Sequence, residues 1–358
     1  MRESVPNGPT AARKHGRPGR ETRPRSTTID IHSHVSIPAA AAIVEQYLDV
    51  STIPLAFFST PDTKAINAQQ DLDRRSRMSG CGDGLTERLR DLDDMGIDIQ
   101  VVMPPPLQCY YMVPIDVSVQ ATKIVNDGVA EYVARKPDRF VGLGSVPMMD
   151  GREAAAELER VVQTLGLKGV QVLTNVGGRE LSDPQFAPFW AKAEELGALV
   201  VIHPNGFTEG KRLTRFYFNN IIGNPFETTL ALHYLIFDGV LDRHPELKLL
   251  AVHGGGYLGA YSGRLDHAWG ARADCRADLS KPPTHYFKNV FVDSIVFTPH
   301  QLAGLVETFG VDHVLIGTDY PFDMAESDPL GHLASLEALD LGAVEAIAGG
   351  NAKKLLGI

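Results

Sequence analysis

The chain has 358 residues, 44% of them hydrophobic, enough for one large barrel or two ordinary domains. Its 34 basic and 44 acidic residues leave a net charge of −10, which argues against a partner bound by phosphate neutralisation, so no nucleic acid is expected. No apolar run reaches the ~18 residues of a membrane span, and Cys81, Cys109 and Cys275 are too scattered for a disulfide framework; they read as reduced thiols of a cytoplasmic protein.

Residues 1–26 are rich in Arg, Pro, Gly and Thr and show no apolar periodicity. They lack the hydrophobic segment of a secretory leader, and a disordered tail is expected there. One domain is expected over 27–358. Eight β-rich runs follow in order: 27–34, 97–106, 139–148, 167–173, 198–204, 247–256, 289–295 and 313–322. Many are near-continuous Val, Ile and Leu, as in strands buried on both faces of a parallel sheet. Helical patterns lie between them, among them 85–96, 152–166, 186–197 and 299–310, each ending on a glycine able to close a helix. Such alternation predicts an α/β fold, a (β/α)8 TIM barrel with insertions after strands 1 and 5. Both long segments, 35–96 and 205–246, leave from strand C-terminal ends, where such barrels carry their sites. An open doubly wound sheet is the alternative, but no GxGxxG follows the first strand.

Polar residues recur where the runs end. His32 and His34 end the first, His203 the fifth and His253 the sixth; Asp293 lies in the seventh and Asp319 ends the eighth. Side chains at i and i+2 of a strand point to one side, so His32 and His34 can share an ion. A lone histidine at a strand end is ordinarily structural, but a barrel brings all eight ends to one rim. The expected metal ligands are His32, His34, His203 and Asp319. Strand 4 ends in Gln171-Val172-Leu173, with no lysine there to bridge a second metal, so one divalent ion is expected. Zinc is the first choice, with manganese or cobalt possible. His253 falls outside that set, as a general base and acid near neutral pH. The following Gly254-Gly255-Gly256 leaves room for a substrate.

The ordered set IDIHSH, PDRFVGLGSVPM, GVQV, VIHP, NPFETT, HPELKLLAVHGGG, GTDYPF and GNAKKLLG resembles the metal-dependent decarboxylases of the amidohydrolase superfamily, the 2-amino-3-carboxymuconate-6-semialdehyde decarboxylase branch above all. The resemblance runs from about Thr28 to the C-terminus. It implies one zinc on His32, His34, His203 and Asp319, with His253 as the acid and base. It further implies that Arg264, eleven residues after His253, binds a substrate carboxylate across a homodimer or higher oligomer interface. Two positions depart from that branch. Asn205 stands where a substrate-packing tryptophan follows the strand-5 His-Pro, and Ser79 falls where a second carboxylate-binding arginine is expected. Arg74, Arg75 and Arg77 are its candidate substitutes.

The expected function is therefore non-oxidative decarboxylation of a small unsaturated or aromatic acid, such as a hydroxybenzoate or carboxymuconate. His253 and Asp319 carry the chemistry and Arg264 and Asn205 meet the substrate. Asp293 is expected behind His253 or a water on the metal. A mononuclear hydrolase of a lactone or amide, and a hydratase, are the rival readings, separated by whether carbon dioxide is released. Tyr110, Tyr111, Phe207, Phe216, Tyr217 and Phe297 are candidate pocket aromatics.

Overall fold

The computed structural model describes residues 19–358. Each of the eight predicted runs contains a strand: β1 (Ile29–His34), β2 (Ile99–Met103), β3 (Phe140–Gly142, continued by Gly144–Ser145), β4 (Gly169–Leu173), β5 (Leu199–His203), β6 (Lys248–Ala251), β7 (Val290–Asp293) and β8 (Val314–Leu315). Neighbours pair in parallel, β1 with β2 and β2 with β3, then β3 with β4 and onward through β8. The ring closes between the last strand and the first. Ile31 N–H donates to the Ile316 carbonyl (2.9 Å), Asp319 N–H to that of His32 (2.8 Å) and His34 N–H to that of Tyr320 (2.7 Å). The result is a parallel α/β barrel.

Two apolar layers hold it. Ile29, Ile31, Val101, Met103, Leu199, Val201 and Leu250 fill the barrel interior, with Leu355 and Leu356 of the helix Asn351–Leu356 packed against them. The other strand face, with Val102, Val172, Ile202 and Val292, packs on Leu92, Val125, Leu158 and Trp190 from the surrounding helices. The patterns at 85–96, 186–197 and 299–310 form the helices Gly84–Met95, Ala187–Leu196 and Pro299–Phe309. That at 152–166 is α-helical over Gly151–Glu159, started by the Asp150 carboxylate, and widens to a π turn over Arg160–Thr164.

Register matters most in β1. Asp30 pairs with Gln100 but Ser33 pairs with Val102, so β1 carries one extra residue in this interval. Before it, Ile29 and Ile31 face inward and Asp30 outward with Gln100. After it, His34 sits beside the inward Met103. The alternation is reset just where the histidines begin.

Two expectations are corrected. The run 247–256 stops being a strand at Ala251, because His253, Gly254, Gly255 and Gly256 all take left-handed φ values and turn the chain across the rim. The tail expectation for 1–18 lies outside the described residues, but Gly19–Thr22 is a helical turn docked in the fold. Gly19 N–H donates to Asp328 Oδ1 (3.0 Å), and Arg20 and Arg23 pair with Asp94 and Asp98. Among the described residues no helix is long and apolar enough to cross a membrane.

Candidate metal centre

Six polar side chains meet at the C-terminal rim. His32 and His34 arrive on β1, His203 at the end of β5, His253 from the left-handed turn after β6, Asp293 at the end of β7 and Asp319 after β8. Gly317 makes the approach possible, since a Cβ there would lie 2.8 Å from the Asp293 Cβ and 3.2 Å from that of His32. The imidazole centroids of His32, His34 and His203 are 5.1 to 5.2 Å apart, and His253 lies 5.2 Å from His203.

The outer nitrogens are committed elsewhere. His32 Nδ1 bonds Asp293 Oδ2 (2.8 Å), His34 Nδ1 the Pro104 carbonyl (3.2 Å) and His203 Nδ1 the Pro204 carbonyl (2.7 Å). With the protons on these Nδ1 atoms, the three Nε2 lone pairs point at one another and at Asp319. His32 Nε2 and His34 Nε2 stand 3.1 Å apart, and Asp319 Oδ1 lies 3.0 Å from His34 Nε2 and 3.4 Å from His32 Nε2. His203 Nε2 is buried with no hydrogen-bond partner among the described residues. Facing lone pairs repel unless a cation lies between them, so this donor set fits a divalent ion.

The electrostatics agree. Burial draws the His203 pKa well down and that of His34 down, which keeps both neutral and able to ligate. For His32 burial is outweighed by the Asp319 and Asp293 charges, and its pKa rises. Burial would raise Asp319, but His32, His253 and His34 hold it well below the usual carboxylate range. His32, His203, His253 and Asp319 each offer a ligand atom within 4.8 Å of the others, so His253 also belongs to the cluster by distance.

His253 differs from the other three in its surroundings. Its side chain is 17% exposed where His32 and His34 are at 0%, and its Nε2 stands 3.6 Å from Asp319 Oδ2. Its Nδ1 is held by nothing among the described residues. It faces a cavity of about 1440 Å³, lined also by His203, Asn205, Asp319, Arg74 and Phe322.

The chain is similar to known proteins over most of its length. Residues 29–358 match the family described as amidohydrolase. The chain belongs to that family. It is 33% identical to the 2-amino-3-carboxymuconate-6-semialdehyde decarboxylase of Dictyostelium discoideum, over 93% of this chain and 92% of the relative. The crystal structure of 5-carboxyvanillate decarboxylase from Sphingomonas paucimobilis superposes with a TM-score of 0.80 at 26% identity, covering 93% of this chain and 99% of that one. The enzyme of the same name from Novosphingobium aromaticivorans, complexed with manganese and 4-hydroxy-3-methoxy-5-nitrobenzoic acid, shares the fold at 22% identity and a TM-score of 0.81, over 93% and 97% of the two chains.

Other expected residues fall in different places. Asp293 holds His32 rather than the His253 ring, and its Oδ1 accepts from Gly254 N–H (2.9 Å), so it steadies the turn carrying His253 through the backbone. Of the three candidate arginines, Arg74 stands in the cavity with its guanidinium over the Phe322 ring (4.6 Å) and paired with Asp71 and Asp323, and that ring lies 4.9 Å from His34. Arg75 reaches the cavity wall from an exposed position, and Arg77 pairs with Asp91 (3.0 Å). Arg264 is exposed on the helix Ser262–Ala271 and does not line the cavity of its own chain. Tyr217 and Phe297 line the cavity. Tyr110 and Tyr111 are instead buried in the outer core, Phe216 is exposed and Phe207 packs on Phe226. Phe322 was not singled out, although GTDYPF places it three residues after Asp319.

Proposed function

We propose that this protein is a mononuclear metal-dependent, non-oxidative decarboxylase of a small aromatic or carboxymuconate-like acid. The observation carrying the reading is the 3.1 Å approach of His32 Nε2 to His34 Nε2, with both Nδ1 atoms already bonded elsewhere. His32, His34, His203 and Asp319 hold the ion. Zinc suits a site of three imidazoles and one carboxylate; manganese is the alternative favoured by the metal in the Novosphingobium enzyme, with cobalt also accommodated. The ion supplies Lewis-acid polarisation of a substrate oxygen.

The chain's own groups do the rest. Arg74, on the cavity wall, pairs with a substrate carboxylate, and Phe322 and Tyr217 bound the space for a planar acid. Asn205 takes the place beyond His203 and leaves the pocket more polar there than a tryptophan would. His253, with Nε2 3.6 Å from Asp319 Oδ2, delivers the proton. As the carbon–carbon bond to the carboxylate breaks, its electron pair stays on the ring or chain carbon and takes that proton, and carbon dioxide leaves. The long segments after β1 and β5 are insertions that build the cavity mouth, and the working form is a homodimer whose partner supplies Arg264.

Metal-loaded protein offered a panel of hydroxybenzoates, carboxyvanillate and carboxymuconate-type acids is expected to release carbon dioxide, and a metal-stripped control is expected to release none. Metal-dependent turnover of lactones or amides without carbon loss would replace this reading with hydrolysis.

A further inference from the structure

Arg88 stands on the helix Gly84–Met95, outside the barrel wall, and its side chain is fully buried. A buried guanidinium has lost its water, and each donor left without a partner is costly. Among the described residues no carboxylate lies within ion-pair distance of it. Nη1 donates to Gln100 Oε1 (2.9 Å), and Nη2 donates to the carbonyl of His34 and to that of Arg77 (3.0 Å). The guanidinium plane lies over the Tyr320 ring at 4.7 Å.

Gln100 carries the contact onward, its Nε2 donating to Asp30 Oδ2 (2.8 Å). Asp30 is buried and accepts from Thr318 Oγ1 (2.6 Å), Thr318 N–H (3.0 Å) and His32 N–H (3.0 Å). Apart from the bond to the Arg77 carbonyl, the branches end on a proposed ligand residue or on its neighbour: the His34 carbonyl, the His32 N–H, Thr318 before Asp319 and Tyr320 after it. The network spans the seam where β8 closes on β1, at the extra residue of β1.

We propose that Arg88 is a positioning residue for the metal centre, acting through the His34 carbonyl and through the Gln100–Asp30 relay to Thr318. The proposal rests on the metal reading above. Arg88 touches neither ion nor substrate. It sets the distance between the β1 histidines and Asp319 by clamping their backbones, and such outer supports are commonly worth a 10- to 100-fold change in metal affinity. Without its donors the His34 carbonyl and Gln100 Oε1 lose partners inside the wall, and the seam is free to shift.

The test uses the full-length chain stripped by a chelator and titrated with Zn2+ and Mn2+ against a competing chelator, with melting of the metal-free protein measured alongside. Arg88→Met is expected to bind one ion about 10- to 100-fold more weakly than wild type. Arg88→Lys is expected to recover part of that loss, and saturating metal is expected to leave a lower kcat with little change in KM. A wild-type metal affinity in Arg88→Met overturns the inference. If Arg88→Met does not fold, Gln100→Met decides: a several-fold loss of affinity supports the inference and none overturns it. Wild-type protein that binds no ion would instead overturn the metal reading itself.

Discussion

His253 owes its assignment to the bonds its ring lacks. The other three imidazoles have Nδ1 tied to an acceptor, which points Nε2 inward and keeps it there; His253 has no such tie and opens on the cavity. A ring that must take and give a proton benefits from that freedom, and a ligand does not. His253→Ala is therefore expected to keep one equivalent of metal and lose about 100-fold or more of its turnover. Metal analysis showing a stripped variant would make His253 a ligand. Asp293 works from behind: its charge raises His32 basicity and fixes the Nδ1–H tautomer. Asp293→Asn is expected to weaken metal binding about 10- to 100-fold in a chelator competition, and an unchanged affinity would remove Asp293 from the support of the centre.

At the scale of elements, the segment after β5 shapes one cavity wall and is tied down by a buried acid. Glu227, on the helix Asn224–Phe237, accepts from Thr208 N–H (3.1 Å) and is 2% exposed. Burial, with Glu180 and Glu209 nearby, pushes its pKa from 4.5 to about 7. Between those values the folded chain binds a proton that the unfolded chain has lost, so this group's contribution falls as pH rises through the window. The loss is about 3 kcal/mol at most. Glu227→Gln is expected to unfold with a flatter profile from pH 4.5 to 7 and to be more stable than wild type above pH 7. Parallel unfolding curves for the two proteins across that range would show that Glu227 is not charged at a cost in the fold. In β1 the spacing argument holds for His32 and His34, but carried back two residues it would place Asp30 beside them. The extra residue breaks that series and turns Asp30 outward to Gln100 and Arg88.

For the whole molecule, the question is which chain completes the site. Arg264 is too far out on its own surface to line the cavity, and Tyr261, three residues before it, is 73% exposed. An arginine acting across a two-fold interface leads to a sharp expectation. His253→Ala and Arg264→Ala, each inactive alone, are expected to regain activity when unfolded together and refolded as a mixture. A mixed dimer then has one site with both His253 and a partner's Arg264, so up to about a quarter of wild-type activity should return under random pairing. No recovery in a mixture shown to contain mixed dimers would place Arg264 outside the partner's site.

The sequence by itself determined the eight parallel strands and the residues at their ends, because burial on both faces leaves near-continuous apolar runs and a barrel gathers every strand end on one rim. The histidines and Asp319 were legible for that reason, whereas the early end of β6 at Ala251 and the left-handed turn after it were not. Only the tertiary structure decided that Arg74 and Arg75 reach the cavity and Arg77 does not, that Asp293 supports His32, and that Arg88, Gln100 and Asp30 underlie the β8–β1 seam. Those contacts join residues far apart in the chain across a register shift. No local period encodes the partner of a side chain once the alternation that would predict its face has been broken.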